Sequence, residues 1–333
     1  MFNLLSVSLV TSSLSVLMGS LVLYYLHTKM SERVLNNFQA SDSWIPENEL
    51  VLLTGGSGCI GRQIMEDLSL NKVRVVILDI NRPTFELPEN VTFYQTDISS
   101  ARSLSETGAA IRNSHGEPTV IVNNAAVFHH GTILGMPEEK LRQTFDVNII
   151  SLFLIMKEFL PFMVRTNRGH VVTVASVASF VTLGEMVDYA CSKAGALAFQ
   201  EGLRQELKYW YKAPNVRTRL VWEAFLRREI MLTIHSIVHP LWVQTPMIEG
   251  FTRYQADFGQ PLLDPKDVSQ AVVEHIVNRK SGQTIVPRHS SVVGSLRALP
   301  LWLQEAIRSH FSSTLLQVGI KRAAHENSGS LVP

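Results

Sequence analysis

The sequence predicts an α/β protein built on a doubly wound parallel sheet, preceded by a membrane-anchor helix. Three observations carry that expectation. Short apolar runs rich in β-branched residues recur at 50–53, 73–79, 91–95, 120–122, 171–175 and 284–286, with the length and composition of buried strands. Segments with helical spacing of apolar residues lie between most of them, and strands alternating with helices argue for a parallel sheet covered on both faces. The first run leads directly into a glycine-rich turn and then a helix.

The chain of 333 residues can form one large domain with appendages, and a net charge of +1 points to no nucleic acid and no strongly acidic partner. Cys59 and Cys191 are too few for a disulfide framework and fit a reducing compartment. Residues 1–28 read as the anchor. No side chain from Phe2 to Leu26 is charged, and a helix of that length spans the roughly 30 Å hydrocarbon core. The stretch has neither a basic start nor an evident cleavage site, so it reads as an uncleaved anchor rather than a signal peptide. Lys29 and Arg33 follow it, an asymmetry that sets the folded domain on the cytosolic side. Its serines and threonines leave a surface-lying or hairpin anchor open. Residues 29–48 are polar and read as a linker.

The domain proper spans residues 49–290. Its first strand is followed by Thr54, Gly55, Gly56, Ser57, Gly58, Cys59, Ile60 and Gly61, with Ile60, Ile64, Met65 and Leu68 along the next helix. Strand, glycine turn and helix N-terminus together make a dinucleotide phosphate site. The glycines permit a tight turn and close backbone approach, and the helix end presents N–H groups to a pyrophosphate. The second strand ends on Asp79, about 20 residues past the turn. An acid there accepts hydrogen bonds from the ribose hydroxyls and repels a 2′-phosphate, which favours NAD; Arg82 nearby keeps NADP possible. Asp97 and Ile98 follow the third strand, and the fourth runs into Asn123, Asn124, Ala125 and Ala126. A helix with Phe145, Ile149, Leu152 and Phe153 carries Asn148. Further on, Asp264 and Pro265 open a helix with Val268, Val272, Ile276 and Val277 as its buried stripe.

Ser176 ends the strand at 171–175, and Tyr189 and Lys193 stand four apart in a helical segment. That spacing puts both side chains on one helix face, where an ammonium draws a phenol below its usual pKa of about 10. A tyrosine so tuned exchanges a proton with a substrate hydroxyl while a serine hydroxyl holds the same oxygen.

These motifs, in this order, resemble the short-chain dehydrogenase/reductase family over roughly residues 49–287, in its compact single-domain branch. With the leading anchor, the chain is most similar to membrane-associated retinol and 17-beta-hydroxysteroid dehydrogenases. The resemblance implies a Rossmann-type domain and a catalytic set of Asn148, Ser176, Tyr189 and Lys193. Tyr189 would be the acid or base. Lys193 would lower its pKa and bind the nicotinamide ribose. Ser176 would hold the substrate oxygen and Asn148 position a relay water. The cofactor would lie on Gly55, Ser57, Gly58, Cys59, Ile60 and Gly61, with Asp79 at the ribose, Asp97 and Ile98 by the adenine, and Asn124, Ala125 and Ala126 along the adenosine. Val243 and Thr245 would contact the carboxamide, beside Tyr189 and Lys193. No metal is needed. The resemblance also implies a homodimer, a lipophilic retinoid, steroid or lipid-derived substrate, and residence at the endoplasmic reticulum or a lipid droplet. The loop of residues 247–263, with Phe251, Tyr254 and Phe258, suits an apolar ligand.

Two features depart from that pattern. Cys59 stands where the compact branch has glycine, and its Cβ could crowd the pyrophosphate. Residues 219–236 separate Val216, Arg217 and Thr218 from Ile237, Val238, His239 and Pro240, which related enzymes carry in a single strand. Codons for Arg219, Leu220 and Val221 can contain GTTAGT, a donor site, and those for His235 and Ser236 can be CACAGC, which contains an acceptor. The insert therefore reads as a retained intron whose excision joins Thr218 to a serine and then Ile237. The rival reading is a genuine inserted amphipathic helix. Both departures also motivate a second function: a catalytically silent dinucleotide-binding or membrane scaffold. Residues 291–322 form an amphipathic segment, packed on the domain or laid on a membrane surface, and 323–333 a tail.

Overall fold

The computed structural model describes residues 44–213, 215–217, 237–248, 262–278 and 283–329, with residues 18, 19, 22, 25 and 26 near the N-terminus. Most of the expected anchor and linker lies outside the described residues. So do the segment 219–236 and the loop residues Phe251, Tyr254 and Phe258.

The strands are β1 (Leu50–Thr54), β2 (Arg74–Asp79), β3 (Val91–Gln95), β4 (Val120–Asn123), β5 (Gly169–Val174), β6 (Val216–Arg217), β7 (Ile237–Pro240) and β8 (Gln283–Val286). They form one parallel sheet in the order β3-β2-β1-β4-β5-β7-β8, with β6 paired to β5. Since β4 occupies one edge of β5, β6 and β7 share the other. Val216 pairs with Gly169 and Arg217 with His170, whereas Ile237 pairs with Thr173 and Val238 with Val174.

The helices are α1 (Cys59–Leu70), α2 (Ala101–His115), α3 (Glu138–Phe145), α4 (Ser151–Thr166), α5 (Val187–Gln205), α6 (Pro265–Val277) and α7 (Leu301–Gly329). Alternate strand residues point to opposite faces, so one sheet supports two cores. Leu50, Leu52 and Val171 pack with Leu104 and Ile111 of α2, Phe159 of α4 and Leu203 of α5. Val51, Leu53 and Val172 pack on the other face with Ile64 and Leu68 of α1 and Val268, Val272 and Ile276 of α6. The start of α6 is a capping box: Asp264 accepts from Lys266 N–H, Asp267 accepts from Asp264 N–H, and Pro265 takes the first turn. Between α3 and α4 a π-helical turn, Asp146–Ile150, carries Asn148. Helix α7 runs on to Gly329, past the 323 boundary, through Lys321, Arg322, Ala323 and Ala324, good helix formers all. In a parallel sheet every strand delivers its following loop to the same edge, which collects the candidate residues at the carboxyl ends of β1, β2, β4, β5 and β7.

Candidate active site

The glycine turn after β1 is dictated by crowding. Gly55 sits at φ +69°, and a Cβ there would meet the Ala125 backbone at 2.8 Å. A Cβ on Gly61 would lie 2.1 Å from the Gly55 carbonyl oxygen, so α1 can start this close to the turn only through glycine. Gly58 is different: among the described residues a Cβ there would meet only Gly55 O, at 3.5 Å, and this side of the turn is exposed. The N-terminus of α1 has no side-chain cap, which leaves its first N–H groups free for an anion. Cys59, Ser57 and Ile60 line the same opening, Cys59 exposed at the first position of α1.

Asp79 ends β2 beside that turn. Its Oδ2 accepts from Ser57 N–H at 3.0 Å and its Oδ1 from Asn81 N–H at 3.0 Å, so the carboxylate is fixed within the turn. Asp97 is bound to its own loop, accepting from Ser99 N–H and Oγ–H, with Ile98 buried behind it. Across the cleft, the Thr54 hydroxyl accepts from Asn124 N–H and Ala125 N–H, and the Asn124 amide donates to Thr54 O and Gly55 O. That clamp presses the loop of Asn124, Ala125 and Ala126 against the glycine turn. Val243 and Thr245 follow β7, with the Thr245 hydroxyl donating to Val243 O. These residues fit a dinucleotide: an uncapped helix end, a turn open at Gly58 and a carboxylate fixed against that turn by Ser57 N–H.

The catalytic candidates meet at the end of β5. Ser176 is extended and caps a short 3-10 turn, accepting from Ala178 N–H at 3.1 Å. Its hydroxyl hydrogen bonds Tyr189 and also reaches Pro240 O at 3.5 Å. The Tyr189 ring is partly exposed, stacked edge-on to Phe128 at 5.2 Å, while its hydroxyl end is enclosed. Lys193 is buried one turn on; its Nζ donates to Val174 O at 3.1 Å and stands 5.6 Å from the Tyr189 ring centroid.

Here the structure departs from the expected tuning. Burial pushes the Tyr189 phenol up to about 12, with the Ser176 hydrogen bond acting in the opposite sense, and burial pulls the Lys193 ammonium down to about 8. Desolvation of both charged forms outweighs their attraction because Nζ is directed at a carbonyl rather than at the phenol oxygen. Asn148 is buried too, and its side chain is fully committed. Oδ1 accepts from Val127 N–H, and Nδ2 donates to Val127 O and Ser192 Oγ. Ser192 in turn donates to Tyr189 O, so Asn148 ties the β4 loop to the helix of the tyrosine. Sequence reasoning did not single out Ser192 or Phe128, and took Thr54 only as the start of the glycine turn; each acts through the three-dimensional neighbour it holds, which no spacing announces.

A family model described as short chain dehydrogenase matches residues 49–221. The chain belongs to that family. It is an enzyme, an NAD(P)-dependent oxidoreductase. Dehydrogenase RED2 of Cochliobolus heterostrophus is 37% identical over 203 residues, 60% of this chain and 77% of that protein. The 17-beta-hydroxysteroid dehydrogenase 13 of Homo sapiens is 28% identical over 252 residues, 73% of this chain and 76% of that protein. Among solved structures, a short chain dehydrogenase from Burkholderia cenocepacia in complex with NADP superposes with a TM-score of 0.62 at 20% identity, covering 80% of this chain and 99% of that one. That likeness concerns the fold.

Proposed function

We propose that this oxidoreductase interconverts a lipophilic alcohol and its carbonyl compound, retinoid, steroid or lipid-derived, at a membrane surface. One observation carries the substrate class. Tyr189 projects from an apolar cluster of Phe128, Leu183, Met186, Trp242, Ile248 and Leu315. A carbonyl presented to that phenol would be surrounded by hydrocarbon and aromatic surface, which favours an apolar ligand over a sugar or an acid. The similarity to a 17-beta-hydroxysteroid dehydrogenase supports the same class.

In this reading the nicotinamide group supplies the hydride chemistry when bound. The glycine turn from Gly55 to Gly61 and the α1 N-terminus hold its pyrophosphate, Asp79 its adenosine ribose, and Val243 and Thr245 its carboxamide. Tyr189 gives a proton to the carbonyl oxygen, or takes one from the alcohol, and Ser176 donates a hydrogen bond to the same oxygen. Lys193 stabilises the phenolate and holds the nicotinamide ribose. Asn148 keeps the Tyr189 helix in register with the β4 loop. Residues 1–28 anchor the enzyme to the endoplasmic reticulum or lipid-droplet surface, with the catalytic domain in the cytosol.

Four outcomes test this. Tyr189→Phe should bind NAD with unchanged affinity yet lose about 10²–10⁴-fold in kcat. Alcohol oxidation by the native enzyme should rise with pH as Tyr189 loses its proton, and Lys193→Met should move that rise to higher pH; turnover surviving Tyr189→Phe would end the role given to the phenol. For the cofactor, kcat/KM should favour NAD over NADP, and Asp79→Ser should narrow the ratio; a native preference for NADP would show that Asp79 does not exclude the 2′-phosphate. The native chain should sediment with membranes and resist alkaline carbonate, whereas a variant lacking residues 1–28 should move to the supernatant. Equal partition of the two would remove the anchor.

A further inference from the structure

His239 is a fully buried residue on β7, outside every role assigned above. Its Nδ1 lies 2.8 Å from the carbonyl oxygen of Ser176. A carbonyl only accepts, so Nδ1 carries the proton and Nε2 is left as a bare lone pair, enclosed and without a hydrogen-bond partner among the described residues. The ring packs on Phe180 at 4.8 Å, which holds its plane. Its neighbours reach the same stretch of chain. Val238 O accepts from Ala175 N–H at 2.7 Å, and Pro240 O accepts from the Ser176 hydroxyl at 3.5 Å. Three consecutive residues of β7 thus grip Ala175 and Ser176, and His239 grips the peptide unit from which the serine hydroxyl is aimed at Tyr189.

We propose that His239 is a positioning residue for the reaction: its Nδ1–H fixes the Ser176 carbonyl and through it the direction of the Ser176 hydroxyl. This rests on Ser176 holding the substrate oxygen. Burial pushes the imidazole down to about 4, so the ring stays neutral over the working range and its donor is always on Nδ1.

The test uses three variants of the full chain. Asparagine places an amide N–H near the old Nδ1 position, glutamine places it near Nε2, and leucine fills the space with no donor. His239→Leu should lose at least tenfold in kcat with KM for NAD unchanged, His239→Asn should recover most of kcat, and His239→Gln should not. If His239→Leu does not fold, the Asn and Gln pair still decides, because equal kcat in those two would overturn the proposal. So would a leucine variant with native kcat. Ser176→Ala separates the two readings: native turnover in that variant would refute the role of the serine itself. If it is impaired, adding His239→Leu should cost nothing further in kcat, since both act on one hydroxyl; a further loss would mean the histidine acts elsewhere.

A second inference comes independently from the sheet register. Val216 lies opposite Gly169, an offset of 47 in numbering, and Ile237 lies opposite Thr173, an offset of 64; the offsets differ by 17 residues. On β5 only Val171 and Val172 separate the two paired stretches, so only two residues are needed to carry a strand from Arg217 to Ile237 along that edge. Faces agree as well as lengths. With two residues between Arg217 and Ile237, Val216 and Val238 fall on opposite sides of the strand, and they do belong to the opposite cores. The family match stops at residue 221, inside the interval.

We infer that β6 and β7 are one strand, whose register along β5 calls for 17 fewer residues than the sequence places between Arg217 and Ile237. The splice sites that the codons of residues 219–236 could contain give the same length: excision between them would leave one serine in place of 18 residues, a net loss of 17. The full chain should be compared with a variant lacking residues 219–235, which reads Thr218, Ser236, Ile237, and with one lacking residues 219–234. Removal of 17 residues should raise the melting temperature by about 4 °C or more and preserve or raise kcat. Removal of one residue fewer should forfeit that gain, because a one-residue slip turns every following side chain to the wrong face. Equal behaviour of the two deletions, or loss of folding on removing 17 residues from a chain that folds with them, would overturn the single strand. Message from the native gene should lack the corresponding codons; their retention would refute the splice origin.

Discussion

The carboxyl end of β5 is the point on which the site hangs. Within three residues the backbone there accepts from the Lys193 ammonium at Val174 O, donates to β7 from Ala175 N–H, and accepts from His239 at Ser176 O. Parallel pairing with β4 on one edge and β7 on the other fixes where that end lies, and the helix α5 must then approach closely enough for Lys193 to reach it. The Ser179 hydroxyl bonding Lys193 O draws the same helix in from the far side of the turn. The geometry of the candidate site is thus set by satisfying buried backbone groups.

Such burial sets the electrostatics against the chemistry. A phenol moved to about 12 and an ammonium moved to about 8 are each pushed towards neutrality by loss of water. The site as it stands favours Tyr189 protonated, the form required to reduce a carbonyl. For oxidation, the Ser176 hydroxyl and the Lys193 charge must offset the desolvation of the phenolate; one pKa unit costs about 1.4 kcal/mol. Lys193 can serve that purpose only if its ammonium shifts from the Val174 carbonyl towards the phenol oxygen, a movement within reach of a flexible four-carbon stem.

The parts of this site legible in the sequence are those whose signal is local. The strands of the sheet core read as apolar runs because both their faces are buried, and Asp264 with Pro265 announced α6 by capping chemistry. Gly55 and Gly61 were legible because backbone crowding admits no other residue. The rest depends on partners far along the chain. Thr54 looks like an ordinary strand terminus until Asn124 and Ala125 are placed over it, and nothing near Ser192 predicts that Asn148 will spend its amide there. The π-helical turn has no composition of its own. The lowering of the Tyr189 pKa was inferred from helical spacing alone; spacing sets which face a lysine shares, but burial and the direction of Nζ decide the sign of the shift.

The two sides of the cleft differ in how the chain pays for them. The glycine turn, the β4 loop, Ser176, Tyr189 and Lys193 all lie within residues 49–221, the stretch matched by the family model. Part of the apolar wall that faces Tyr189 does not: Trp242, Ile248, Leu262 and Leu315 come later, while Phe128, Ala178, Leu183, Met186 and Ala190 lie within that stretch. Leu315 reaches the cluster from α7, whose position is secured by Arg297 donating to Ser179 O and Phe180 O and by Ser312 accepting from Gly184 N–H. The portion of the wall that comes from the C-terminal segment can change volume without altering the buried backbone contacts at the end of β5. The geometry around Ser176, Tyr189 and Lys193 is therefore constrained by the sheet, while the shape of the facing apolar wall depends in part on how α7 packs, and the outward Leu301, Trp302, Leu316 and Ile320 leave that helix with exposed apolar surface as well.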